Sequence, residues 1–227
     1  MKPVKKTDQG KAWAKRPLGK KAYQEHSREQ AKVFLIICEG MNTEPLYFKA
    51  FPLGNAKVDS YGLGSSKTAL VDHVIQNVVS DRSNAGKEIW VVFDFDIKPD
   101  QVEQQKEDYN RAIELAVNKG IKVAYSNDSF ELWFLLHYQH LELKWIRHQY
   151  YQKLGEWWEC NYEKEGKKGG FCRKIYQKLL DDPRSDQNEA ISRASRMLSQ
   201  QQELPFADRN PCTTVFELVK ELNEYLK

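Results

Sequence analysis

Four acidic residues in this 227-residue chain stand where chemistry could be done: Glu39, Asp94, Asp96 and Glu131. Glu39 ends the apolar run VFLIIC at 33–38, and Gly40 after it lets the backbone turn sharply beside the carboxylate. Asp94-Phe95-Asp96 closes a second apolar run, EIWVVFD at 88–94. If the chain is still extended there, period-two alternation points both aspartates to one face. After a third run, IKVAY at 121–125, comes Ser126-Asn127-Asp128-Ser129-Phe130-Glu131, dense in side-chain oxygens. Carboxylates that converge without an obvious cation repel one another. Their natural partner is a hard divalent metal with oxygen ligands, Mg²⁺ or Mn²⁺. Such a metal activates water and stabilises charge on a phosphodiester in its transition state.

Each of these residues also has a plainer reading. Glu39 is awkward as a surface residue after a buried strand, which favours function. A lone DxD can simply begin a solvated turn. Asp128-x-x-Glu131 fits a capping box, and Glu44 sits in a first helical turn where the macrodipole favours it anyway. GLGSSKT at 62–68 resembles a Walker A loop but lacks the glycine directly before Lys67, so a P-loop is not expected. His137, His140 and His148 with Cys160 and Cys172 match no common zinc spacing, and His137 reads as a satisfied partner on an aromatic helix. Residues 144–178 hold nine Lys/Arg against four Glu, interleaved with aromatics. Stacking platforms beside cations suit unpaired bases. The tryptophans there are read as packing and the cations as substrate contacts.

The elements that must carry these residues follow from periodicity. The three apolar runs are strands buried on both faces, with helices from about residue 43, from the end of GLGSSKT, over 100–120 and from near Ser129. Capping boxes at Asp100-x-x-Glu103 and Thr214-x-x-Glu217 open two of the helices, and Thr43 is expected to cap the first. Strands alternating with helices predict an α/β fold, a parallel sheet with helices on both faces. Beyond residue 140 the strand signal fades into a C-terminal helical cover. The expected organisation is a basic arm at 1–32, an α/β core at 33–140 and a helical cover at 141–227. The arm carries ten Lys/Arg against three Asp/Glu and reads equally as a nucleic-acid contact or a solvated tail. No apolar stretch reaches the ~20 residues of a membrane span. Cys38, Cys160, Cys172 and Cys212 form no CxxC pair, which with the absence of a secretory h-region predicts a cytoplasmic protein with reduced thiols.

Four blocks, ICEGMNTEPLYF (37–48), VVFDFD (91–96), SNDSFELWFLLH (126–137) and NPCTTVFELVKEL (210–222), resemble the RloB-like family, also called AbiLii-like. The resemblance implies a Toprim-like domain, in which a glutamate after the first strand and a later DxD bind Mg²⁺. By motif position these are Glu39, Asp94 and Asp96, with Glu131 at a further acidic position of the site. It also implies a role in phage defence, often beside an ATPase partner. Phe95 stands where the family often carries a basic residue, which removes one phosphate contact.

The expectation is therefore a Mg²⁺- or Mn²⁺-dependent nuclease of Toprim type, acting on RNA (tRNA included) or DNA. Asp94 and Asp96 would hold the metal. Glu39 would bind a second metal or act as general acid/base, and Lys67, Ser126 and Asn127 would contact the phosphate or orient ligands. The alternative is a non-catalytic sensor that binds a nucleotide or nucleic-acid end and signals to an ATPase. A phosphotransferase with Asp94 as nucleophile is disfavoured, because a strand and Glu39 precede the DxD.

Overall fold

The three apolar runs form the centre of a five-stranded sheet, because a strand covered on both faces has no solvated side to mark with polar residues. The structure is a computed structural model that describes residues 31–96 and 101–227. Its strands are β1 (Lys32–Cys38), β2 (Ala56–Gly62), β3 (Glu88–Asp94), β4 (Lys122–Asn127) and β5 (Cys212–Thr213). They stand in the order β2-β1-β3-β4-β5; β1 to β4 run parallel and β5 pairs antiparallel with β4. The helices are α1 (Thr43–Lys49), α2 (Lys67–His73), α3 (Val102–Asn118), α4 (Glu131–Leu136), α5 (Arg147–Trp158), α6 (Tyr162–Glu165), α7 (Gly169–Cys172), α8 (Ile175–Asp181), α9 (Gln187–Gln201) and α10 (Val215–Asn223). Residues 31–227 form one compact unit. The basic arm lies outside the described residues apart from its last two, and Lys32 opens β1.

Alternate residues of the central strands feed two cores. Phe34, Ile36, Trp90 and Val92 face α1, α4 and the C-terminal helices. Leu35, Ile37, Val91 and Phe93 face α2 and α3. The C-terminal helices therefore cover one face of the sheet. They also complete it, since β5 comes from residues just before α10 and pairs with Ser126 and Asn127. All of α4 is buried, as expected of a helix that is apolar nearly all round. Trp133 Nε1 donates to the Tyr47 hydroxyl at 2.8 Å, and Tyr47, Phe130 and Phe134 meet edge to face.

Several local expectations change. β2 carries polar residues at alternate positions (Lys57, Asp59) because it is an edge strand, so no apolar run announced it. Thr214 does precede α10, but its hydroxyl accepts the Tyr125 N–H at 2.9 Å instead of capping the helix. Asn42, not Thr43, stands at the start of α1, and neither Asn42 nor Phe130 caps with its side chain. Asp100 lies outside the described residues. The four cysteines are free. Trp158 is buried, while Trp157 stacks on Tyr138 with ring centroids 4.5 Å apart.

His137 sits in the first core, donating from Nδ1 to the Trp133 carbonyl at 2.9 Å. Burial pushes its pKa down from 6.5 to about 4. A depressed histidine stabilises the fold fully above its unfolded value and loses that stability as pH falls toward the folded one. The stability difference between wild type and His137→Gln should accordingly shrink by on the order of 3 kcal/mol between pH 7 and pH 4. Urea unfolding at a series of pH values measures it, and a constant difference would refute the assignment.

Candidate functional site

The backbone places the acids before any side chain is considered. Glu39 lies one residue past β1; its N–H donates to Val92 O at 2.8 Å and its carbonyl accepts the Gly64 N–H at 2.9 Å. Asp94 ends β3, and pairing continues one residue further through Phe95 N–H to Ser126 O at 2.8 Å. The chain is thus still extended there. Asp94 and Asp96 face the same side, while Phe95 turns into the second core against Tyr109, centroids 4.8 Å apart.

Two glycines permit the close passage of these segments. A Cβ on Gly62 would collide with the backbone of Gly40 and Met41, and one on Gly40 would meet the Glu44 carboxylate. Backbone cannot yield as a side-chain tip can. Gly62→Ala is therefore expected to cost at least about 2 kcal/mol, whereas Gly40→Ala should keep the fold and displace Glu44. Thermal unfolding of the two variants decides it, and equal midpoints would be the wrong answer.

Glu39, Glu44, Asp94 and Asp96 line a cavity of about 330 Å³ together with Arg147 and Lys167. Arg147 bridges the two aspartates, Nη2 to Asp94 Oδ2 at 3.2 Å and Nη1 to Asp96 Oδ2 at 3.4 Å. Lys67, the first residue of α2, reaches Glu39 Oε1 at 3.3 Å, while Glu39 Oε2 is buried without a hydrogen-bond partner. Burial pushes the Glu39 carboxyl up to about 7, against the pull of Lys67 and with Asp94 adding to the rise. Glu44 also reaches about 7, through burial and the nearby Asp94. Burial lifts Asp94 above the ordinary range despite Arg147, and takes Asp128 to about 6. A larger cleft of about 810 Å³ opens beside β4 and α10, lined by residues such as Trp90, Phe206 and Lys220, but the acidic constellation is not there.

The remaining sequence candidates divide. Glu131 is fully buried and saturated: it accepts from Ser129 Oγ, from the Tyr162 hydroxyl at 3.1 Å and from Lys167 Nζ. Burial alone would raise its carboxyl, but Lys167 and these donors hold it below the usual range. It is an anchor for Lys167 at the back of the pocket. Ser126 and Asn127 are buried in β4 and spent internally, Ser126 Oγ with Thr213 Oγ1 and Asn127 Nδ2 on Ala207 O, both at 2.8 Å. The structure does not bring them into the cavity. Sequence reasoning read the cations of residues 144–178 as substrate contacts as a group, without marking Arg147 or Lys167 among them or pairing either with the acids.

The donor set suits a hard divalent cation: every candidate ligand atom is a carboxylate oxygen, and Glu39 Oε2 is buried without a hydrogen-bond partner. Glu39, Asp94 and Asp96 could hold such an ion. Among the described residues no three His, Cys, Asp or Glu side chains are already gathered as a cage. Arg147 and Lys67 instead hold the acids as ion pairs.

Fold and pocket together define a parallel α/β protein with an acidic cleft at the carboxyl ends of its strands, the place where open α/β sheets take ligands. The chain belongs to the RloB-like protein family, whose model matches residues 34–222. No curated protein and no solved structure matches it. No helix among the described residues is long and apolar enough to cross a membrane.

Proposed function

We propose that this protein is a Mg²⁺- or Mn²⁺-dependent nuclease of Toprim type that hydrolyses phosphodiesters of RNA or DNA in defence against phage. The observation that carries the proposal is the convergence of Glu39 with Asp94 and Asp96 at the ends of adjacent parallel strands, around the unpartnered Glu39 Oε2. Asp94 and Asp96 would hold the metal. When bound, the metal would supply Lewis-acid stabilisation of phosphate charge and a more acidic attacking water. Glu39, at the end of the strand beside that of Asp94 and with one buried carboxylate oxygen not engaged by a hydrogen bond, would take the proton of that water.

A second reading is supported by the ion pairs already on the acids: the pocket binds a nucleotide or nucleic-acid end without turnover and signals to an ATPase partner. Labelled tRNA, single-stranded RNA, and single- and double-stranded DNA, incubated with Mg²⁺, Mn²⁺ or a chelator, separate the two. Cleavage that requires metal is expected on at least one substrate. Metal-dependent binding with no cleavage, with and without the neighbouring ATPase, would move the assignment to the sensor.

A further inference from the structure

Three acids of the pocket follow the carboxyl ends of β1 and β3 and the fourth, Glu44, opens α1, but the two cations lining it come from the C-terminal helical layer. Arg147 is the first residue of α5, and Lys167 lies between α6 and α7. The Lys167 loop is tied to the start of α1 by Asn42 Nδ2, which donates to Lys167 O at 3.2 Å. Lys167 Nζ rests on Glu131 and over the Tyr151 ring, 5.2 Å from its centroid, with 45% of the side chain exposed. Its back is fixed and its front is open. Arg147 has the complementary property: its Nη groups are engaged, yet its Nε is buried with no hydrogen-bond partner. A guanidinium with an unspent donor in a fixed fork suits a phosphate better than single carboxylates, because it can present two parallel donors to two oxygens.

Charge explains why both would be needed. Four carboxylates line the pocket, and each of its cations, Arg147, Lys167 and the Lys67 that reaches Glu39, already rests on a carboxylate, so a bare anion finds none of them free. A divalent cation on the aspartates adds the positive charge that an anion needs. It also removes the reason for Arg147 to stay on them.

We propose that Arg147 and Lys167 are the phosphate-gripping pair of this pocket, receiving the non-bridging oxygens of a nucleic-acid phosphate, Arg147 by giving up Asp94 and Asp96. This rests on the nuclease reading above for the metal, and it narrows the nine cations of residues 144–178 to two with separate tasks. Lys167 is the static member and Arg147 the exchanging one. The helical layer is then part of the site as well as a cover for the sheet.

The test measures binding, using two probes. Mn²⁺ alone is followed by electron paramagnetic resonance, and fluorescein-labelled oligouridylate and oligothymidylate in Ca²⁺ by fluorescence anisotropy over a range of salt. The variants are Arg147→Met, Arg147→Lys, and the double variant Lys167→Met/Glu131→Gln, which removes the buried pair together so that the fold is kept. Arg147→Met should bind Mn²⁺ at least as tightly as wild type, since a competing cation is gone. Its oligonucleotide affinity should fall at least about tenfold, with the salt slope reduced by about one. The double variant should show the same loss, and Arg147→Lys should recover part of it. Unchanged oligonucleotide affinity and salt slope, with Mn²⁺ still bound, would overturn the phosphate grip and leave the metal site standing. Weaker Mn²⁺ binding in Arg147→Met would also overturn it, by showing that the arginine only holds the aspartates in place. A wild-type chain that binds no Mn²⁺ would sink the nuclease reading, and the grip with it.

Discussion

Lys167→Met is expected to lower the unfolding free energy by about 3 kcal/mol at pH 7, the low end for breaking a buried pair because the ammonium itself is half-exposed. The cost arises at the other partner. Glu131 is fully buried, and without Lys167 its charge would keep the hydroxyls of Ser129 and Tyr162 and the Arg147 guanidinium, which is not bonded to it. Adding Glu131→Gln to the variant should restore most of the loss, since a neutral amide accepts from one hydroxyl through its oxygen and donates to the other through its NH2, leaving no buried charge. The pH dependence has a definite sign. In the wild type the Glu131 carboxyl is held low, so its contribution is present above its unfolded value and is lost as pH falls. In Lys167→Met it is raised, so the variant gains stability as pH falls and the gap closes toward acid. Urea unfolding at pH 7 and pH 5 measures both effects. A single variant within about 1 kcal/mol of wild type at pH 7 would mean that Glu131 needs no cation.

On the nuclease reading proposed above, Asp94→Asn should reduce metal-dependent cleavage at least about a thousandfold, roughly 4 kcal/mol of transition-state stabilisation, while leaving the fold intact. Asp94 occupies the centre of the site: Arg147 donates to its Oδ2 at 3.2 Å, the Phe130 N–H approaches the same oxygen at 3.3 Å, and Glu39, Glu44 and Glu131 all feel its charge. An asparagine keeps the shape and an acceptor for Phe130 but loses the negative charge. Burial already penalises the charged form, and Arg147 keeps Asp96 as a charged partner at 3.4 Å, so neutralising Asp94 costs little stability. Activity and stability should therefore separate, which a truncation would not achieve. Unchanged cleavage in Asp94→Asn, Asp96→Asn and Glu39→Gln alike would remove the acids from the reaction altogether.

The strands that carry the acids were legible because burial on both faces writes itself into the chain as VFLIIC, EIWVVFD and IKVAY. The DxD geometry was legible too, since alternation in an extended chain depends only on local stereochemistry. β2 was harder to read, its AKVDSYG being the half-polar pattern of an edge, and the two-residue β5 has no local signature. Thr214 shows the limit of motif reading. Its spacing to Glu217 satisfies a capping box, but the edge of β4 offered its hydroxyl a different partner.

The sequence on its own settled the parallel α/β core and the placing of Glu39, Asp94 and Asp96 at strand ends, because these follow from patterns a few residues long. Only the tertiary structure decided which acids face a common cavity and which cations answer them. Nothing in the run Lys164, Lys167, Lys168 marks the middle one as the partner of Glu131, and nothing beside Arg147 announces Asp94. Burial, ion pairing and the pKa of a carboxyl depend on groups brought close from distant parts of the chain, and that proximity exists only once the helical layer has closed over the sheet.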